Sequence, residues 1–126
     1  MLKKQEEADR IAKQFMKESI LVTTQKGNDF VKSAIPDLKP TSVMKLLYRG
    51  SKDGWAARDF HRLCDNRGPT VTVVKSSAGR ISGGFTTLSW TSNNSGYKSD
   101  ANALVFSVDE EVMFPCIKHE YAVYNY

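Results

Sequence analysis

The N-terminal part of the chain combines a background of Lys, Glu and Gln residues with one narrow apolar stripe. The stripe follows the i, i+3, i+4, i+7 spacing of an amphipathic helix, and it predicts an N-terminal helix over residues 1–18. Its members are Ala8, Ile11, Ala12, Phe15 and Met16. The stripe either packs on the domain that follows or belongs to a coiled-coil tail or linker of a longer protein. Because sustained heptads are absent, packing on the domain is favoured.

A second, short helix is predicted to begin at Asn28 and Asp29, whose side chains are good N-caps. It should run through Ala34 and stop at Ile35, since the residue before a proline is pushed out of the helical region. Residues 36–40 then form a connector.

A third helix is predicted over about residues 54–65, with Ser51 or Asp53 as its N-cap. Its apolar face recurs at i, i+4, i+7 and i+8, which is the spacing of one helix face. That face consists of Ala56, Phe60, Leu63 and Cys64.

Strand signals occur on both sides of this third helix. Residues 43–48 form a short, mostly apolar run that predicts a buried strand. Residues 70–75 and 80–90 are rich in β-forming residues and are joined by a Ser-Ser-Ala-Gly turn, so they predict a hairpin. Within it, Gly83 and Gly84 indicate either a β-bulge or the close approach of another backbone.

The last part of the chain is predicted to contain a polar loop over residues 92–100 and a strand over residues 103–108. In that strand Leu104, Phe106 and Val108 form the more apolar of two alternating faces. A further strand is predicted to begin within residues 121–126. The residues expected in the core are Phe60, Leu63, Val73, Phe85, Trp90 and Phe106.

The composition indicates one globular domain. The chain has 126 residues, of which 40% are hydrophobic and 25% charged, so it can bury a single core and does not resemble disordered sequences. The net charge of +4 comes from Lys and Arg residues that are interleaved with acidic ones. A nucleic-acid surface would cluster its positive charge, so none is expected.

Targeting signals are not evident in the sequence. No apolar run reaches the roughly 18 residues of a membrane span, and the N-terminus lacks the apolar core of a signal peptide. We therefore expect a cytoplasmic protein without a transmembrane segment. Only two cysteines are present, Cys64 and Cys116, and no disulfide framework is expected in that compartment.

Short motifs follow one another in a specific order along most of the chain. They are Leu46-Leu47-Tyr48-Arg49, Asp53-Gly54, Phe60-His61, Cys64-Asp65, Gly68-Pro69-Thr70, Gly83-Gly84-Phe85, Ser89-Trp90, Ser99-Asp100-Ala101-Asn102-Ala103 and Phe106-Ser107. Each motif is weak alone, but the ordered set resembles the TLDc domain family over residues 19–126. The motif positions to which we assign structural roles are Asp53, Gly54, Phe60, Gly68, Pro69, Gly83, Gly84, Phe85 and Trp90.

This resemblance implies an α+β, mainly β fold, in which two antiparallel sheets form a sandwich with flanking helices. It also implies a link to protection against oxidative stress and binding to the vacuolar proton-pumping ATPase. No reaction is assigned to the family, so we expect a non-enzymatic interaction module without a cofactor. Such a module would be cytoplasmic and would lie peripherally on a membrane-bound complex.

The sequence departs from the family pattern after residues 122–124. The family continues there with a Gly-Pro-x-Phe-Gly segment and a final strand, whereas this chain ends at Tyr126. We therefore expect a sandwich that lacks its closing strands and an open sheet edge that can pair with another chain.

Two chemical alternatives remain open in the sequence. His61 and Cys64 with Cys116 and His119 carry ligand types for a tetrahedral zinc site, although structural zinc sites usually have tighter, cysteine-rich spacing. Cys116, with basic residues nearby, is the better candidate for a redox-active thiol, because Cys64 is expected near a helix C-terminus that opposes a thiolate.

Two other patterns are poor candidates for chemistry. Residues 79–84 match neither common phosphate-binding glycine motif. Ser51, His61 and Asp65 have the residue types of a hydrolytic triad, but no nucleophile elbow surrounds the serine.

Overall fold

The computed structural model describes residues 15–39, 41–93 and 96–125. The described helices are α1 (Gln25–Ala34), α2 (Gly50–Asp53), α3 (Ala57–Cys64) and a 3-10 turn (His119–Tyr121). The strands are β1 (Thr70–Lys75), β2 (Ile81–Thr86), β3 (Gly96–Lys98), β4 (Leu104–Ser107), β5 (Val112–Pro115) and β6 (Val123–Asn125). The predicted α+β, mainly β class is confirmed. Most of the predicted N-terminal helix, residues 1–14, lies outside the described residues.

The strands form two antiparallel sheets. The larger sheet has four strands in the order β1-β2-β4-β5, and the smaller one pairs β3 with β6. In the larger sheet Val73, Gly83, Phe106 and Met113 occupy directly opposed positions on the four successive strands. Opposed residues of antiparallel strands share one face of a sheet, so this row defines the inner face.

The inner face of the four-stranded sheet carries the core. Phe106, which is 2% exposed, packs with Phe15, Val22 and Val31 from the N-terminal segment and α1. The ring of Phe30 meets Phe106 edge-on at 6.0 Å between centroids. The described residues from Phe15 through α1 thus pack on one side of the sheet.

The start of α1 differs from the prediction, while its end agrees with it. Thr24 is the N-cap, and its Oγ1 accepts a hydrogen bond from the Gly27 N–H at 3.0 Å. Asn28 lies inside the helix and is buried. Its side-chain amide is satisfied there, because the amide oxygen accepts a hydrogen bond from the Met16 N–H and the amide nitrogen donates one to the Thr24 carbonyl. Its polar group therefore holds the N-terminal segment on α1. Ile35 is the C-cap, as predicted from the following proline.

The predicted helix over residues 54–65 is divided in two. Gly54 adopts a φ of 111° after α2, and α3 begins only at Ala57. Asp53 does not cap α3, because its carboxylate accepts from the Arg49 N–H at 2.8 Å. Asp59 acts at the start of α3 instead and accepts from the Ala56 N–H at 3.2 Å.

The structure corrects two strand predictions and one loop prediction. Residues 43–48 have no strand partner in the described part of the chain, although Met44 donates its N–H to the Phe15 carbonyl at 2.7 Å. β2 ends at Thr86, well before Trp90. The predicted polar loop at 92–100 contains β3. β5 was not predicted, whereas β4 and β6 fall within predicted strands.

The core prediction is correct for two of its six members. Phe85 and Phe106 are buried, with 6% and 2% exposure, whereas Phe60, Leu63, Val73 and Trp90 are half-buried. Of the half-buried residues, Val73 packs against the core, whereas Phe60 and Trp90 line an open cleft.

Asp100 joins the loop before β4 to the C-terminal end of β2. Its buried carboxylate accepts hydrogen bonds from the Thr86 hydroxyl, the Thr87 N–H and hydroxyl, and the Asn102 N–H, at 2.6 to 3.0 Å. Burial acts to raise the pKa of Asp100, but these hydrogen bonds outweigh it, and the pKa lies below its ordinary value of 3.8. The charged form of Asp100 therefore stabilises the fold.

Asp100→Asn is expected to lower the free energy of unfolding at pH 7 by about 2 kcal/mol, because hydrogen bonds to a charged group are replaced by weaker ones. A depressed pKa in the folded state means that this stabilisation is complete above the unfolded pKa and is lost as pH falls through the folded pKa. Urea unfolding from pH 7 to pH 3 should show the difference from the wild type shrinking with acidity. The exposed Asp29→Asn serves as the control, and equal stability of Asp100→Asn and wild type at pH 7 would contradict the prediction.

Candidate functional site

An apolar cleft lies over the outer face of the four-stranded sheet. Its volume is about 740 Å³, and it is bounded by the sheet, by α3 with the residues before it, and by β6. The lining residues are Tyr48, Trp55, Ala56, Ala57, Phe60, His61, Thr70, Thr72, Gly84, Phe85, Thr86, Trp90, Ala103, Leu104, Val105, Phe114, Pro115, Cys116, Ala122, Val123 and Tyr124. No Asp, Glu, Lys or Arg is among these described residues.

Interlocking aromatic rings form the wall of the cleft on the α3 side. Phe60 meets Tyr48 and Trp90 edge-on, with centroid distances of 5.5 and 5.6 Å. Trp90 Nε1 donates to the Thr70 hydroxyl at 3.0 Å, and the Tyr48 hydroxyl donates to the Gly54 carbonyl. These bonds tie the wall both to β1 and to the turn before α3, so the wall is preorganised.

The floor of the cleft continues as a shallow apolar groove along β2. This groove has a volume of about 440 Å³ and runs over Gly84, between Val74 of β1 and Val105 and Phe114 of β4 and β5. Val74, Val105 and Phe114 are 52%, 58% and 56% exposed. Because Gly84 has no side chain, an open channel runs between Val74 on one side and Val105 and Phe114 on the other.

His61 lines the cleft and is held by Asp65 one helical turn later. The His61 Nδ1 and an Asp65 carboxylate oxygen are 2.7 Å apart, and the Ser92 hydroxyl donates to the other Asp65 oxygen. Burial acts to raise the pKa of Asp65, but the hydrogen bonds from Ser92 and His61 bring it below its ordinary value. Asp65 is thus a carboxylate that orients the imidazole.

This arrangement does not form a hydrolytic triad. In such a triad the serine hydroxyl donates to the histidine, whereas Ser92 donates to Asp65. Ser51 lies exposed in α2, and no hydrogen bond between described residues joins it to His61.

The two cysteines occupy different environments. Cys64 is 5% exposed, and burial, followed by the charge of Asp65, raises the pKa of its thiol, so it is a core residue. Cys116 is half-buried and lines the cleft, where its thiol donates to the Lys118 carbonyl at 3.3 Å. The redox role of Cys116 stays a prediction.

The zinc hypothesis gains no support from this geometry. Within residues 15–39, 41–93 and 96–125, no group of three or more His, Cys, Asp or Glu side chains could hold a metal ion. Of the four candidates, His61 and Cys116 line the cleft, while Cys64 is buried and His119 begins the 3-10 turn.

The motif residues divide between the cleft and its supports. Phe60, Gly84, Phe85 and Trp90 line the cleft. Of the supporting residues, Gly68 has a φ of 73° and donates its N–H to the Ser89 hydroxyl at 2.8 Å. The motifs thus define the α3 side of the cleft and part of its floor.

Sequence reasoning missed the opposite side of the cleft. Val105, Phe114 and Tyr124 stand there, on β4, β5 and β6. The β-rich run Val112-Met113-Phe114 was the available signal for β5.

The chain has an α+β fold with an apolar cleft on the outer face of its larger sheet. The model of the TLDc domain matches residues 15–126, and the chain therefore belongs to the TLDc domain family. No curated protein matches the chain. Among the described residues, no helix is long and apolar enough to cross a membrane.

Proposed function

We propose that this chain is a non-enzymatic regulatory module that binds another protein through the apolar cleft on its outer sheet face. The candidate partner is the vacuolar proton-pumping ATPase, which the TLDc resemblance implies. The module would act in the cytoplasm, peripherally on that membrane-bound complex, and would contribute to protection against oxidative stress.

The observation that carries this proposal is the chemistry of the cleft lining. Protein interfaces are enriched in aromatic residues and depleted of charged ones at their centres. The cleft combines Trp55, Phe60, Trp90, Phe114 and Tyr124 with no Asp, Glu, Lys or Arg among its described lining residues. Trp55, which is 82% exposed, stands at its rim. Tryptophan and tyrosine are the residue types that most often dominate binding energy.

The first test is binding of the chain to purified vacuolar proton-pumping ATPase, measured by biolayer interferometry. Val105→Asp is expected to weaken binding at least about tenfold, because it places an unpaired charge in an apolar contact. Ile20→Asp is the matched control, since Ile20 is 60% exposed, similar to Val105, and does not line the cleft. Circular dichroism should show that both variants remain folded.

The outcomes separate the parts of the proposal. Absence of binding by the wild type would contradict the choice of partner. Binding that Val105→Asp and Ile20→Asp leave equally intact would contradict the choice of surface. In cells challenged with hydrogen peroxide, wild type and Ile20→Asp should improve survival and Val105→Asp should not, and equal protection by all three would separate the stress role from the cleft.

A further inference from the structure

β1 is an edge strand of the four-stranded sheet, and its outer backbone groups have no partner among the described residues. The Ser76 N–H donates to the Arg80 carbonyl at 2.9 Å, which makes these residues a hydrogen-bonded pair at the end of the β1–β2 ladder. Hydrogen-bonded and non-hydrogen-bonded pairs alternate along antiparallel strands. Val71 and Val73 therefore direct their N–H and C=O groups away from β2. No hydrogen bond between described residues uses these outward groups.

This edge also lacks the features that usually prevent strand pairing. Natural edge strands are often interrupted by proline, bulges or a central charge. β1 has the sequence Thr-Val-Thr-Val-Val-Lys, and its register with β2 is continuous over all six residues. Its one charged residue, Lys75, stands at the end. The strand is therefore free of bulges, uncharged at its centre and rich in β-branched residues.

We propose that β1 pairs antiparallel with β1 of a second copy of this chain, across a two-fold axis at Thr72. In this register Thr72 faces Thr72 of the second copy on the outer face, and Val71 faces Val73 of the second copy on the inner face. Val71 and Val73 are the residues with free outward backbone groups, so they supply the hydrogen bonds. Like side chains meet at each of these positions, and Lys75 falls outside the paired region. This self-complementarity selects a second copy over an unrelated strand.

The dimer would contain one continuous eight-stranded sheet. A two-fold axis normal to the sheet keeps the inner faces on one side and the outer faces on the other. The apolar grooves of the two copies would then lie side by side on a common outer face. The β5 edges would remain at the two ends of the sheet.

Disulfide trapping tests both the pairing and its register. Opposed residues of a non-hydrogen-bonded pair have Cα atoms about 4.5 Å apart, within the range of a disulfide. In a Cys116→Ser background, Thr72→Cys should form a covalent dimer under mild oxidation. The control Val74→Cys is exposed on the same face, but its two copies would be about 14 Å apart in this register, so it should remain monomeric.

Sedimentation equilibrium tests the association without a cross-link. The wild type should show a concentration-dependent mass approaching twice the 14.1 kDa of one chain. Thr72→Lys should shift dimerisation to at least about tenfold higher concentration, because it places like charges opposite each other at the axis. Val112→Lys adds the same charge to the outer face of β5 and should dimerise like the wild type. A monomeric wild type, equal trapping of Thr72→Cys and Val74→Cys, or a larger effect of Val112→Lys would overturn the proposal.

Discussion

Gly83→Ala is expected to lower the free energy of unfolding by about 3 kcal/mol, at the upper end of what overpacking usually costs. A Cβ at Gly83 would lie 2.3 Å from the Thr72 carbonyl oxygen and 2.8 Å from Cζ of Phe106. The first contact is with the backbone of the neighbouring strand, which cannot rotate away as a side chain can. Either the β1–β2 spacing or the buried ring of Phe106 would have to move.

Gly84→Ala provides the matched control on the opposite face of the same strand. Its Cβ would lie 3.3 Å from the Leu104 carbonyl oxygen and 3.7 Å from Cγ1 of Val105, so small shifts can accommodate it. Urea unfolding of the two variants should give a clearly lower midpoint for Gly83→Ala than for Gly84→Ala. Similar midpoints would show that the sheet relaxes around the added methyl group.

This glycine pair illustrates what the sequence could predict about the fold. Adjacent glycines in a strand indicated either a bulge or a close approach, and both readings fitted the local sequence. The register of β2 with β1 and β4 is continuous, so there is no bulge. The close approach is therefore the correct alternative, and Gly83 is required by the Thr72 carbonyl of β1 together with the ring of Phe106 on β4. Which backbone and which ring approach the glycine is not visible in a local pattern.

The helix boundaries show the same division between local and long-range causes. The end of α1 at Ile35 was predictable, because the following proline acts on its immediate neighbour. Its start was not, because the amide of Asn28 bonds the backbone of Met16 instead of capping. Residues 43–48 have the composition of a strand, but a strand also requires a partner with free backbone groups.

The candidate cleft was predictable only on one side. Phe60 and Trp90 belong to motifs that single them out, and the structure places both in the aromatic wall. Val105 and Phe114 carry no motif. They line the cleft because their side chains are exposed on the outer face of the sheet. That exposure depends on how the rest of the chain covers this face. A hydrophobic pattern predicts which residues share a face, but it does not say whether that face is covered.

Phe106→Ala is expected to lower the free energy of unfolding by about 4 kcal/mol, because it removes a ring that is 2% exposed and leaves a cavity in the core. The lost ring contacts Phe30 and also rests on Gly83, so both α1 and β2 lose packing. The measurement is urea unfolding followed by fluorescence and circular dichroism, whose coincident transitions would justify a two-state treatment.

Phe114→Ala is the matched comparison, because it removes the same ring from the adjacent strand β5 on the outer face. Phe114 is 56% exposed, so its removal should change the free energy of unfolding by only about 0.5 kcal/mol. If the outer face is a contact surface, Phe114→Ala should instead weaken partner binding while the fold persists. Comparable losses of stability in the two variants would mean that the outer face of the sheet is packed within the domain, and the proposed docking surface would then be wrong.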